Sequence, residues 1–295
     1  MSLRQQLRGT GVALVTPFRS DLSIDYDAFG KVIEHVIAGG VEYVVALGTT
    51  GETPTLNKEE KIALANFTYE KVAGRVPVVV GIGGNNTAEL VEELKSFPLD
   101  KAIAVLSASP YYSKPSQEGL FQHYKTLAQA SPKPLLLYNV PGRTGRNLNA
   151  ATTVRLAKEV KNIAGIKEAS GDMAQVMEIL RDKPEDFLVV SGDDALTLPQ
   201  IACGMEGIIS VAANSFPRLF TDMVRLCLKG DFKSAKSLND KLIPGYELLF
   251  AENNPAGVKA ALAELQVIGN YLRLPVVPVS EGLQQKIGVY VKNLK

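Results

Sequence analysis

Lys167 is the residue whose type and position most clearly suggest chemistry. It follows the apolar run 163–166 and precedes the segment 168–171, which is typical of a turn. A lysine with its ordinary pKa of about 10.4 is an ammonium ion at neutral pH and cannot attack a carbonyl carbon. Apolar surroundings lower the pKa of a lysine, and the neutral amine can form a Schiff base. The alternative is a lysine that extends from a strand end into solvent.

A second candidate site is the segment LGTTGETPTLN, residues 47–57, in which glycines flank two threonines at a predicted strand end. Gly48 and Gly51 lack a Cβ atom, so backbone N–H groups can approach a ligand closely. Hydroxyls beside exposed N–H groups suit a carboxylate, and the Gly-x4-Gly-Lys pattern of a phosphate-binding loop is absent. An ordinary glycine-rich turn is the alternative. The hydroxyls in question belong to Thr49 and Thr50.

Tyrosines and an arginine occur in SPYYSKPSQEGL, residues 109–120, and in YNVPGRTG, residues 138–145. Tyrosine hydroxyls can transfer protons between a carbinolamine, an enamine and water. Arg143 can bind a carboxylate through two parallel hydrogen bonds. The alternatives are tyrosines that simply pack with their hydroxyls satisfied, and a surface arginine.

The elements that must position these residues are eight short apolar runs, spaced roughly every 25–35 residues. Their hydrophobicity is nearly continuous, which is typical of strands that are covered on both faces. Amphipathic segments at helical spacing lie between them, and one begins with an Asn57 cap and Glu60 three residues on. Eight strand–helix pairs predict a (β/α)8 TIM barrel, in the α/β class. The alternative is a doubly wound sheet, but Asn86 stands where its Gly-x-Gly-x-x-Gly fingerprint needs glycine. The strand runs are 11–15, 41–47, 76–80, 102–106, 134–138, 163–166, 187–190 and 207–211.

From about Phe232 the pattern contains helices only. We therefore predict a catalytic barrel over residues 1–230 and a C-terminal helical region over residues 231–295. This region could cover the barrel or mediate assembly.

Composition restricts the partners and the compartment. Lys and Arg number 32 and Asp and Glu number 31, so no basic field for nucleic acid or an acidic membrane is expected. No apolar run reaches the length of a membrane span, and no signal segment is recognisable. The two cysteines, Cys203 and Cys227, are too few for a disulfide framework. We expect a cytoplasmic protein.

Active sites of TIM barrels lie at the C-terminal ends of the strands. Hydroxyls, one lysine and one arginine dominate there. The two histidines, His35 and His123, fall inside predicted outer helices and have no metal-ligand spacing with a cysteine or carboxylate, so we expect no metal.

Six motifs in a fixed order carry a family resemblance: GTTGE, PYY-x-x-PSQEGL, YNVP-x-RTG, GIKEA, SGDD and GIISVAAN. They resemble the pyruvate-dependent class I aldolases of the dihydrodipicolinate synthase/N-acetylneuraminate lyase family, from about Gly9 to Asn214 and more weakly through the helical region. The resemblance implies a Schiff base between Lys167 and pyruvate, with no cofactor. It also implies a proton relay of Tyr138, Thr49 and Tyr112. Substrate-binding roles fall to Thr50, Arg143, Gly192 and Ile209, the last two through backbone oxygens.

Members of this family are commonly homotetramers, built as dimers of tight dimers. The tyrosine that corresponds to Tyr112 reaches across the dimer interface into the partner's active site. The resemblance therefore implies that an isolated monomer is poorly active.

Arg143 selects among the reactions of the family. The arginine of YNVP-x-RTG implies binding of the carboxylate of aspartate semialdehyde, whereas neuraminate lyases have apolar residues there. Loss of such a charge-assisted pair costs roughly 1.5–3 kcal/mol. We therefore expect condensation of pyruvate with aspartate semialdehyde in lysine and diaminopimelate biosynthesis. The alternatives are a neuraminate lyase, a 2-keto-3-deoxysugar acid aldolase, or a non-catalytic barrel that binds a keto acid.

A possible allosteric lysine site is implied by the resemblance to feedback-inhibited members. Asn85, Glu89 and Tyr111 match residues that contact the effector there, but Lys58 and Lys61 stand where inhibited relatives often have histidine. An ammonium about 4 Å from the cationic effector would cost roughly 1–4 kcal/mol, depending on the effective dielectric constant. We expect inhibition by lysine to be weak or absent.

Overall fold

The computed structural model describes residues 2–294, and its centre is a closed barrel of eight parallel strands. Each strand pairs with its neighbour in the chain, and β1 pairs with β8 to close the barrel. The predicted TIM barrel is thus confirmed. The strands are β1 Gly9–Ala13, β2 Tyr43–Ala46, β3 Val78–Gly81, β4 Ala104–Ala108, β5 Leu135–Asn139, β6 Ile163–Glu168, β7 Leu188–Ser191 and β8 Gly207–Ser210.

The helices surround the barrel because their apolar faces cover the outer surface of the strands. Buried aliphatic and aromatic residues of both layers form one continuous core. The helices are α1 Leu3–Gln6, α2 Tyr26–Ala38, α3 Lys58–Val72, α4 Thr87–Ser96, α5 Gln117–Ala130, α6 Pro141–Thr144, α7 Ala150–Glu159, α8 Met173–Asp182, α9 Thr197–Ala202, α10 Pro217–Leu228, α11 Phe232–Phe250, α12 Ala256–Glu264 and α13 Glu281–Leu294.

A second, smaller core fills the inside of the barrel with apolar side chains. Tyr43 reaches across it, and its hydroxyl donates to the carbonyl of Ile208 at 3.2 Å. Gly11 makes room for the ring, because a Cβ built there would lie 2.2 Å from it. Since both faces of every strand are buried, the strands appear in the sequence as near-continuous apolar runs.

Local sequence determines most helix starts. Asn57 and Glu60 form the predicted reciprocal capping box at α3. Asn149 and Asp172 cap α7 and α8 through their side chains. Every strand differs from its predicted run by one or two residues at one or both ends: β1, for example, begins two residues earlier, and β6 extends to Glu168. Lys167 therefore lies within a strand, where the ladder fixes its backbone.

The C-terminal helices pack together and against the barrel. α11 packs against α10 and α13, and α12 packs against α13. The seven residues of α12 from Ala256 to Leu262 are all buried. The division into a barrel domain of residues 1–230 and a helical region of residues 231–295 stays a prediction. Within residues 2–294, every helix is too short or too polar to span a bilayer.

Candidate active site

A cavity of about 480 Å³ opens at the C-terminal ends of the strands. Four of the predicted catalytic and substrate-binding residues contribute to its wall: Thr49, Tyr138, Arg143 and Lys167. They come from the ends of three strands, β2, β5 and β6, and from α6. The other lining residues are Ala13, Leu47, Gly48, Thr53, Pro54, Lys61, Gly81, Ile82, Gly83, Gly84, Leu106, Ala108, Tyr111, Val140 and Thr144.

Lys167 lies at the base of this cavity and is 5% exposed. It is in register with Tyr138 on β5 and Val190 on β7, and its Nζ lies 4.3 Å from the centre of the Tyr138 ring. Across residues 2–294, no side chain or carbonyl forms a hydrogen bond or ion pair with this amine. A buried amine without a polar partner is free to react with a ligand in the cavity.

Directly after Lys167, Glu168 is buried in a network of polar side chains that ties β6 to β5. Its carboxylate accepts hydrogen bonds from Asn139 Nδ2 at 3.2 and 3.0 Å, from Gln175 Nε2 at 3.1 Å and from the Ser170 amide at 2.7 Å. Burial raises the pKa of Glu168, which the hydrogen bonds oppose. The network holds the strand end that carries Lys167. This network was not predicted from the sequence. The one signal for it was the carboxylate of Glu168 next to a lysine at a strand end, which indicates that the carboxylate has a buried partner.

The threonine turn has an unusual backbone. Residues Thr49–Gly51 form one turn of 3-10 helix, bounded by Leu47 with φ +58° and Glu52 with φ +54°. Such values are uncommon for residues other than glycine. The turn lies close to β3, since a Cβ at Gly81 would be 2.1 Å from the Leu47 carbonyl oxygen. A conformation of this kind persists only where neighbouring structure holds it.

Asn254, which precedes α12, contacts both predicted carboxylate-binding regions. Its Nδ2 donates to Thr50 Oγ1 at 3.2 Å, and its carbonyl accepts from Arg143 Nη2 at 3.4 Å. Thr50 is buried, whereas Arg143 is exposed at the cavity wall. Asn254 could not be predicted from the sequence, because no local pattern relates it to residues so distant in the chain.

Gly192 and Ile209 lie on the far side of Lys167. The Gly192 amide donates to the Glu168 carbonyl at 2.8 Å, which brings its backbone against the lysine. A Cβ at Gly192 would be 2.8 Å from Lys167 Cε. Ile209 is buried in β8 inside the barrel, paired with Gly11. Neither residue is part of the cavity wall in the single chain.

Tyr112 stands apart from the other predicted relay residues. Its side chain is 91% exposed, its φ is +67°, and its amide donates to the Thr144 carbonyl at 3.3 Å. Its neighbour Tyr111 lines the cavity instead. One chain therefore brings together Lys167, Tyr138 and Thr49 but leaves Tyr112 in solvent.

Only part of the predicted lysine-binding site lies at the same cavity. Asn85 Oδ1 accepts a hydrogen bond from the Tyr111 amide at 2.8 Å, and Lys61 and Tyr111 both line the cavity. Lys58 and Glu89 are exposed on α3 and α4. Lys61, which is partly buried, thus contributes a cation to the wall of the cavity.

Residues 2–294 contain no cluster of three or more His, Cys, Asp or Glu residues that could hold a metal ion. The two histidines have structural contacts: Nε2 of His35 donates to the Ser215 carbonyl at 3.3 Å, and Thr87 Oγ1 lies 2.8 Å from Nδ1 of His123. Burial lowers the pKa of His35, and it lowers that of His123 to about 4. The expectation that the protein needs no metal stays a prediction.

Comparison with known proteins gives one consistent family. The profile of the dihydrodipicolinate synthetase family matches residues 6–294. The chain is 49% identical over 290 residues to 4-hydroxy-tetrahydrodipicolinate synthase of Flavobacterium psychrophilum, covering 98% of this chain and 99% of the relative. The crystal structure of dihydrodipicolinate synthase from Thermotoga maritima superposes with a TM-score of 0.95 at 38% identity, covering 98% of this chain and 99% of that one. The chloride-inhibited dihydrodipicolinate synthase of Acinetobacter baumannii, solved with pyruvate, has a TM-score of 0.94 at 39% identity, with coverage of 98% and 99%.

Proposed function

The chain belongs to the dihydrodipicolinate synthetase family, and from that membership we infer that it is a lyase that catalyses the 4-hydroxy-tetrahydrodipicolinate synthase reaction. The substrates are pyruvate and L-aspartate 4-semialdehyde, and the product feeds lysine and diaminopimelate biosynthesis. The observation that carries the mechanism is the buried, unpaired amine of Lys167 at the base of the cavity.

The reaction begins on Lys167. Its neutral amine attacks the keto carbon of pyruvate, and the carbinolamine loses water to form an imine. Loss of a proton from the pyruvate methyl group gives an enamine, whose carbon attacks the aldehyde carbon of the second substrate. The aldehyde oxygen takes up a proton and becomes the hydroxyl group of the product. The amino group of the second substrate then attacks the imine carbon, closes the ring and releases the lysine amine.

The remaining residues supply protons and binding groups. Tyr138 and Thr49, which line the same cavity, would transfer protons to and from the carbinolamine. The backbone N–H groups of Thr49 and Thr50 would bind the pyruvate carboxylate, because the short 3-10 turn leaves its first N–H groups without partners inside the turn. The carbonyl oxygens of Gly192 and Ile209 would lie near the lysine and the substrate.

Arg143 gives the site its preference for the second substrate. Its guanidinium lies on the cavity wall and hydrogen-bonds only to a backbone carbonyl in residues 2–294, so its charge is free to bind a carboxylate. A neutral aldehyde would leave this cation without its partner. This supports aspartate semialdehyde over the neutral sugar aldehydes of related lyases and aldolases.

Self-association as a homotetramer, a dimer of dimers, is the expected assembly. It is supported by Tyr112, since a 91% exposed tyrosine can reach the active site of a second copy. The two cysteines are free, which agrees with the cytoplasm as the expected compartment.

Trapping with borohydride tests the mechanism. The protein is incubated with pyruvate and borohydride, digested, and searched by mass spectrometry for a reduced pyruvate adduct on Lys167. Lys61→Ala removes another lysine of the same cavity and should keep the adduct, whereas Lys167→Ala should lose both the adduct and turnover. Full turnover in Lys167→Ala would exclude the Schiff base. Faster turnover with neutral sugar aldehydes than with aspartate semialdehyde would exclude the proposed second substrate.

A further inference from the structure

The C-terminal end of the threonine turn is held by residues that the reaction itself does not use. Glu52 adopts the left-handed backbone conformation directly after Thr49–Gly51, and it is 3% exposed. A buried carboxylate and a left-handed backbone are both unfavourable unless other groups compensate them. The contacts of Glu52 must therefore be strong and specific.

Lys259 on α12 supplies the main contact. Its side chain is fully buried, and its Nζ forms an ion pair with Glu52 Oε1. The same ammonium donates to the Tyr271 carbonyl at 2.9 Å and lies 4.2 Å from the centre of the Phe18 ring. The charge of Lys259 is thus compensated from three sides, and among residues 2–294 Glu52 provides its only ion-pair partner.

Arg273 holds the other carboxylate oxygen and the segment beyond the turn. Its amide donates to Glu52 Oε2 at 3.0 Å. Its guanidinium donates to both oxygens of Glu60 at 2.6 and 2.8 Å and to the Thr55 carbonyl at 3.0 Å. Residues 52–60 are therefore fixed to the C-terminal region at three points along their length.

The segment just before α12 adds a contact on the other side of the threonines. Asn254, which precedes Lys259 by little more than one helical turn, bonds to Thr50 Oγ1. Together, Asn254 and Lys259 hold α12 against both ends of the Thr50–Glu52 segment. A helix outside the barrel thus fixes the backbone that would receive the pyruvate carboxylate.

We propose that Glu52 and Lys259 are positioning residues for pyruvate: their buried ion pair fixes the conformation of the threonine turn and so determines how tightly the pyruvate carboxylate is bound. The proposal rests on the proposed function, because it assumes that this turn receives the carboxylate. Neither side chain lines the cavity, so their effect passes through the backbone of the turn.

The test separates pyruvate binding from stability and from the second substrate. Adduct formation on Lys167 is measured with borohydride over a series of pyruvate concentrations in the wild type, in Lys259→Met and in the double variant Glu52→Gln/Lys259→Met. We expect the half-saturating pyruvate concentration to rise by about tenfold or more in both variants, while the KM for aspartate semialdehyde changes by less than about threefold. The double variant removes both charges of the buried pair and should fold even if Lys259→Met does not.

Arg4→Met is the matched control, because it breaks an ion pair with Glu206 at the opposite end of the barrel. It should lower the thermal midpoint without changing the pyruvate dependence. A double variant with the pyruvate dependence of the wild type would overturn the proposal, as would an equal rise in the control. If the wild type itself forms no adduct, the proposed function fails instead, so the two failures are distinguishable.

Discussion

The α-carbon of Gly192 lies so close to Lys167 that an added methyl group would be 2.8 Å from Cε of the lysine and 2.6 Å from Cβ of Ala169. Overpacking of this kind typically costs about 1–3 kcal/mol. We expect Gly192→Ala to displace the amine and to slow adduct formation with pyruvate by about tenfold or more. Gly142→Ala is the control, because a Cβ there meets nothing within 4 Å. Equal rates in both variants would show that Lys167 tolerates the displacement.

Arg143 should matter for the second substrate only. Loss of its charge-assisted bonds to a carboxylate removes about 1.5–3 kcal/mol, so we expect Arg143→Ala to lower kcat/KM for aspartate semialdehyde by roughly tenfold to a hundredfold. Adduct formation with pyruvate alone should stay within about twofold. Arg146→Ala, which removes a guanidinium that donates to the Lys114 carbonyl at 3.0 Å, is the neighbouring control. A parallel loss of pyruvate trapping would instead assign Arg143 to the first substrate.

Tyr112 should act in the site of a partner subunit. Tyr112→Phe changes a 91% exposed side chain, so stability should change by less than about 0.5 kcal/mol, while turnover falls. The decisive measurement mixes Tyr112→Phe subunits with Lys167→Ala subunits. A hybrid dimer then contains one complete site if the tyrosine acts across the interface, and activity should reappear on mixing. No recovery in verified hybrids would place the tyrosine in the site of its own chain.

Lysine should inhibit weakly, because Lys61 places a cation in the wall of the cavity that Tyr111 also lines. We expect Lys61→Ala to lower the half-inhibiting concentration of lysine by about tenfold. This factor corresponds to the lower part of the range of repulsion energies, roughly 1–4 kcal/mol, between two like charges about 4 Å apart. Lys58→Ala, on the exposed start of the same helix, should have a smaller effect. Inhibition of the wild type at low micromolar lysine would contradict the prediction.

Asp194 should make the stability of the barrel depend on pH. It is buried and accepts hydrogen bonds from Ser210 Oγ at 2.6 Å and from the amides of Val211 and Ala212 at 3.2 and 3.0 Å. Burial outweighs these bonds and raises its pKa from the usual 3.8 to about 6. Between pH 3.8 and about pH 6 the folded protein binds more protons at Asp194 than the unfolded chain does. The free energy of unfolding therefore falls as pH rises, by roughly 3 kcal/mol in total. Above about pH 6 this group makes no further change to the free energy of unfolding.

Asp194→Asn removes this titration while keeping the size of the side chain. Denaturant unfolding at about pH 4 and about pH 7 should show a smaller loss of stability in the variant than in the wild type. Identical differences for the two proteins would mean that Asp194 does not titrate in this range.

Much of the fold could be predicted because it depends on local patterns. The barrel strands are continuous apolar runs, and helix starts follow from side-chain caps such as Asn57. The cavity residues Lys167, Tyr138 and Arg143 could be found because strand ends of a barrel meet at one face. Their roles rest on the family resemblance and on the experiments above.

The support of the site could not be predicted from local patterns. Lys259 lies among the apolar and small residues 256–262 of α12, which indicates a buried partner but not which one. Its partner Glu52 belongs to a turn near the other end of the chain, and no periodicity relates the two. The contact of Asn254 could not be predicted for the same reason. Hydrophobic spacing defines the buried face of α12 but not the loop against which α12 packs.

The Phe18 ring, which lies 4.2 Å from the ammonium of Lys259 and 4.5 Å from the guanidinium of Arg273, marks the junction of three distant segments. A chimaera of two relatives could be cut between whole strand–helix units of the barrel. In this protein a crossover between the barrel and α12 would combine the threonine turn of one parent with the α12 residues of another parent. Residues 16–18, 47–60 and 254–273 should therefore be inherited from the same parent in any recombination of this scaffold.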